Sequence, residues 1–188
     1  MSVPYDLDPL LYVAFAILVS LFVVARMHSH PDIWDAKAGR FWYPLRRWIL
    51  TPIDVLVERF NIPVIYTKTS VSENEYITTL DWTHTDFLRH AQERDFEAQP
   101  LASIAKDWNG NIERSSIAYY YGSKLFPGAP NYLRKYQLHI RPFGEDGELT
   151  ITGHSEYSPW HPVYALPHFL GIGLKPDAER AKEVLDLE

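Results

Sequence analysis

Residues Leu10 to Ala25 read LLYVAFAILVSLFVVA, sixteen positions with no charge, no proline and no glycine. In hydrocarbon each backbone N–H and C=O must be paired within the protein, and a lone segment manages this only as a helix. At ~1.5 Å rise per residue the run reaches roughly 24 Å against a hydrocarbon core of about 30 Å. The expected span is therefore residues 10–27, with Arg26 snorkelling to the headgroups. A cleaved signal peptide would have a basic leader, whereas MSVPYDLD carries Asp6 and Asp8 and no small-x-small site follows the run. A buried helix of a water-soluble domain has a similar length. The reading favoured is a single-pass signal anchor.

Charge sets the expected orientation. The first nine residues hold no Lys or Arg, while Arg26, Lys37, Arg40, Arg46 and Arg47 follow the run closely. The positive-inside tendency puts the N-terminus outside and the C-terminal domain in the cytoplasm. Four segments result: a tail (1–9), a transmembrane helix (10–27), a juxtamembrane segment with an amphipathic helix (28–60) and a folded domain (61–188). In the third, Trp34, Trp42 and Trp48 alternate with Arg40, Arg46 and Arg47, as suits a headgroup layer that takes indoles and attracts cations to anionic lipid.

The 188-residue chain has no cysteine, which excludes disulfides and thiolate metal sites. Its formal net charge is −6, and residues 61–188 hold twelve Lys and Arg against eighteen Asp and Glu. Nucleic acid is not an expected partner, because it requires a basic footprint.

Within the domain, period-two patterns predict strands at 64–68, 76–80, 101–106, 112–121, 136–143 and 148–157. Thr83 caps a helix running to about Arg94, with Phe87, Leu88 and Ala91 inward. Pro176-Asp177 opens a last helix with Ala178, Ala181, Val184 and Leu185 inward. The prolines of 158–175 imply an irregular cover. The expected fold is α+β: an N-terminal transmembrane helix, then an antiparallel sheet of about four to six strands with helices packed on one face.

Alternation puts Leu138, Ile140, Leu149 and Ile151 against the helices. It turns Gln137, His139, Arg141, Thr150, Thr152, His154 and Glu156 to the other face, with Arg114 and Ser116 joining from the neighbouring strand. A four-residue hairpin loop would pair Arg141 with Thr150 and His139 with Thr152. The expected face is solvated, so that losing His139 or His154 would cost under about 1 kcal/mol. Arg114, Arg141, His139 and His154 are the binding candidates, because guanidinium groups fork onto carboxylate or phosphate. His139, Arg141, His154 and Glu156 are the catalytic candidates. His154, His161 and His168 recur every seven residues and are weak metal candidates. They match no zinc motif, and no cofactor is expected. Neither a phosphate loop nor a nucleophile elbow occurs.

The resulting expectation is a single-pass membrane protein whose domain binds membrane lipid, a protein partner or its own copy, as an accessory component of a cellular or virion membrane. The alternative is a membrane-tethered hydrolase of an anionic substrate with a His/Arg/Glu site.

Overall fold

The computed structural model describes Trp48, residues 70–99, Ala102 and residues 104–187. The expected transmembrane helix, the expected amphipathic helix before residue 61, the strand expected at 64–68 and the expected membrane-surface residues Trp34, Arg40, Trp42, Arg46 and Arg47 lie outside these. Trp48 is exposed. Among the described residues no helix is long and apolar enough to cross a membrane.

In chain order the elements are β1 (Tyr76–Leu80), α1 (His84–Gln92), β2 (Glu97–Ala98), β3 (Ile117–Lys124), β4 (Arg134–Glu145), β5 (Glu148–Tyr157), α2 (Ala165–Phe169), β6 (Lys175–Pro176) and α3 (Ala178–Leu185). They form an α+β fold whose six strands make one antiparallel sheet. Its order is β1-β5-β4-β3-β2, with β6 on the free stretch of β5. Thr83 caps α1: its hydroxyl oxygen accepts from Asp86 N–H at 3.1 Å and its O–H donates to Asp86 Oδ2 at 2.6 Å.

One face of the sheet is the core. Ile77, Ile117, Leu138, Ile140, Leu149 and Ile151 pack against Phe87, Leu88 and Ala91 of α1 and Ala181 and Leu185 of α3. Gly153 lies under this layer, and a Cβ there would come within 2.5 Å of Ile140 Cδ1 and 2.9 Å of Ile77 Cδ1.

Three expectations need correction. The β4–β5 loop is two residues, not four: Glu145 pairs with Glu148 across Asp146-Gly147, and Gly147 takes φ 90°. Arg141 therefore faces Thr152, His139 faces His154 and Gln137 faces Glu156. A register change of two residues leaves every side chain on its assigned face. Secondly, no strand forms over residues 104–106, and β3 begins at Ile117 rather than 112. Residues 104–116 make only isolated bridges through Lys106 and Ile112. Thirdly, the polar face is buried rather than solvated. Gln137, His139, Arg141, Thr152, His154 and Glu156 are all buried, and a small core of Val71, Ala105 and Phe143 lies on the same side.

Burial also marks an edge carboxylate. Glu97 on β2 has a buried Oε2 with no hydrogen-bond partner. Burial first, and Asp95 second, push its pKa up to about 7. The folded protein thus holds this proton more tightly than the unfolded chain, whose value is near 4.5. The contribution is fully present below the unfolded value and is lost as pH rises through about 7. Denaturation at pH 5 and pH 8 should show wild type losing more stability across that interval than Glu97→Gln. Equal losses would mean that Glu97 is solvated.

Candidate functional site

β4 and β5 bring their polar rows together. His139 and His154 lie directly across from each other, with ring centroids 5.2 Å apart at 71°. Glu156, two residues further along β5, places Oε1 3.3 Å from His139 Nδ1 and 3.5 Å from His154 Nε2. The remaining nitrogen of each ring is held from outside. His154 Nδ1 meets Glu75 Oε2 at 2.7 Å, and His139 Nε2 meets Ser116 Oγ at 2.5 Å. Gln137 Nε2 donates to Glu156 Oε1 at 2.7 Å, while Gln137 Oε1 is buried without a partner.

The imidazoles differ electrostatically. Burial, reinforced by the Arg141 guanidinium, pushes His139 down to about 3, so its contact with Glu156 is between a neutral ring and a carboxylate. Burial alone would lower His154, but Glu156 and Glu75 outweigh it and hold its pKa above the ordinary value. Burial would raise Glu156. His154, His139 and His168 overcome this and keep it well below the usual range.

Arg141 donates to Glu113 Oε2 at 2.6 Å, both side chains being almost fully buried. Arg114 does not join the face. It pairs at 2.5 Å with Asp146 in the β4–β5 turn, since it precedes β3, whereas Ser116 does reach the face at His139. The weak metal trio is also not assembled as expected. His161 packs on Tyr164 and its Nδ1 accepts from Val163 N–H. His168 Nδ1 donates to Tyr157 O at 2.8 Å and lies 3.2 Å from Glu156 Oε2. Among the described residues the buried trio within ligating reach is His139, His154 and Glu156, whose donor atoms all fall within 4.8 Å of one another.

Ser116, His139 and Glu156 have the order of nucleophile, base and orienting acid. Their chemistry is poor for that role: all three are buried, and a base held near 3 is a weak proton acceptor at neutral pH. A shallow cleft lined by Asp81, Asp86, Arg89, His90 and Asp146 lies beside α1 and the β4–β5 turn, and none of the three lines it.

The opposite end of the sheet has a different surface. From Pro162 to Leu174 the chain carries no Asp, Glu, Lys or Arg. Val163, Leu166, Phe169, Leu170 and Ile172 are all exposed there, from 42 to 66%. Leu125 and Phe126, in the β3–β4 connection at the same end, are exposed too. Behind this ledge runs a ladder of stacked tyrosines, Tyr121–Tyr136–Tyr157–Tyr164, with centroids 4.7 to 5.4 Å apart. Lys135 Nζ lies over three of these rings and Arg180 over the fourth.

Comparison with protein-family models, curated proteins and solved structures found no match.

Sequence reasoning missed Glu75 and Glu113 as partners of the polar face. Ser72-x-x-Glu75 carries a capping-box pattern, which points to a local role, and Glu75 Oε1 does accept from Ser72 N–H and O–H. Its other oxygen reaches His154, 79 positions away, and no local pattern encodes that.

Proposed function

We propose that the chain is a membrane-anchored module whose α+β domain docks onto the lipid surface through the ledge of residues 162–174. The observation carrying this is five exposed large apolar side chains within ten residues. Isolated exposed apolar residues are ordinary, whereas a concentration of them marks an interaction site. Lipid is favoured over protein by charge. The ledge carries no charged residue, Lys175 follows it and Lys135 lies at its edge over Tyr164, an arrangement suited to an apolar wedge beneath anionic headgroups. The run of Leu10–Ala25 supports the same surface as the occupant, since an anchor in the same chain holds the domain beside a bilayer. The buried state of His139 and Glu156 disfavours the hydrolase reading.

The test uses residues 28–188, without the anchor, on vesicles of neutral or anionic lipid. The protein should bind peripherally, prefer anionic vesicles and lose that preference in high salt. Leu166→Ser with Leu170→Ser should weaken binding by about 30-fold, from ~1 kcal/mol of half-buried apolar surface at each position. Unchanged vesicle binding would refute lipid docking. Binding to cell membranes but not to pure lipid would transfer the ledge to a protein partner.

A further inference from the structure

We propose that His139, His154 and Glu156 bind a divalent transition-metal ion, with zinc the best match, in a closed structural centre beneath the sheet. The inference does not depend on membrane docking. Its basis is a mismatch between inner and outer contacts. Each ring is drawn tightly outward, His154 to Glu75 at 2.7 Å and His139 to Ser116 at 2.5 Å. On the inside both rings stop at 3.3 and 3.5 Å from one carboxylate oxygen. Charge-assisted hydrogen bonds close to about 2.7–2.9 Å. Ligands held at about 2.0–2.1 Å around tetrahedral zinc lie roughly 3.4 Å from each other. Both nitrogen-to-oxygen spacings thus fit donors sharing a cation better than a hydrogen bond, and all three donor atoms lie within 4.8 Å of one another.

The surroundings agree. A ligating histidine usually directs its second nitrogen to a carboxylate, carbonyl or hydroxyl that fixes ring orientation, and Glu75 and Ser116 stand where such groups belong. Two imidazole nitrogens and a carboxylate oxygen form a donor set that suits zinc. Gln137 supplies an independent sign. Its amide reaches Glu156 Oε1, yet its own oxygen is buried without a partner. Turning the amide over would bring Oε1 beside the carboxylate oxygen, an arrangement that a cation shared by the two oxygens makes favourable, and would provide a fourth donor. With all four groups buried, no position is open to substrate, so the ion ties β4 to β5 and the 72–75 turn rather than serving catalysis.

The full chain, purified in detergent, should contain a single zinc ion by elemental analysis. Stripping it with a chelator should lower Tm, and adding ZnCl2 alone should restore it. Cobalt substitution should give the visible bands of a low-symmetry nitrogen and oxygen site. Glu156→Gln, checked for folding by circular dichroism, should reduce zinc affinity at least as far as Glu75→Gln, for which about 10–100-fold is expected of an outer-sphere partner. A folded untreated protein with no first-row metal, whose Tm ignores ZnCl2, would overturn the proposal. Full zinc content in folded Glu156→Gln and His139→Gln would do so as well. If every variant unfolds, the wild-type comparison with and without zinc decides alone.

Discussion

Arg141→Ala should destabilise the domain by about 3–5 kcal/mol, the range found when one partner of a buried ion pair is removed and the other stays behind. Arg141 donates to Glu113 at 2.6 Å, and the two side chains are 4% and 0% exposed. Without the guanidinium, the Glu113 carboxylate must take up a proton, admit water or pull the 104–116 segment away from the sheet. Arg141→Lys keeps the charge and loses the fork, so its loss should be smaller. Urea denaturation followed by tryptophan fluorescence measures both. A loss below ~1 kcal/mol for the alanine variant would show that the face is open to solvent. By the same reasoning His139→Ala and His154→Ala should each exceed the ~1 kcal/mol expected of surface changes, because both rings are buried between partners on two sides.

Ile140→Ala should cost roughly 2–5 kcal/mol, and Ile140→Val about 0.5–1.5 kcal/mol. Ile140 is fully buried at the centre of β4, and its Cδ1 occupies the space that a side chain at Gly153 would need. Its neighbours Leu138, Leu149 and Ile151 are themselves fixed in strands, so truncation leaves a cavity that little can fill. The midpoint in urea should fall with an unchanged slope. A truncation cost near that of the valine variant would mean that Ile140 is not central to the core.

The contrast between these two sites shows what the chain discloses unaided. Alternation puts Leu138, Ile140, Leu149 and Ile151 on the helix face, as observed, because they alone form a continuous apolar row on these two strands. Thr83, Phe87, Leu88, Ala91, Ala181 and Leu185 follow likewise from capping and helical spacing. The hairpin register is ambiguous in sequence because GEDG contains two glycines, and the tight Asp146-Gly147 turn is one of several closures it permits. The buried second face was not legible. Its charges are satisfied by residues far along the chain, Glu75 for His154 and Glu113 for Arg141. A polar row therefore looks the same in sequence whether water or a second layer covers it. The ledge at 162–174 is not legible either: its prolines imply an irregular cover and say nothing of which side chains face water, whereas Val163, Leu166 and Leu170 are exposed.

The proposed lipid docking by that ledge is tested most directly in the full chain. The chain has no cysteine, so Leu166→Cys gives a single attachment point for a spin label without further engineering. In proteoliposomes of the full chain, the label's collision rate with membrane-dissolved oxygen, compared with that of a water-soluble nickel chelate, reports its depth. Docking of the ledge in lipid gives preferential collision with oxygen and shielding from the chelate, with the pattern reversed for a control label at exposed Glu93, just past the end of α1. A label at 166 as open to the chelate as the label at 93 would contradict it.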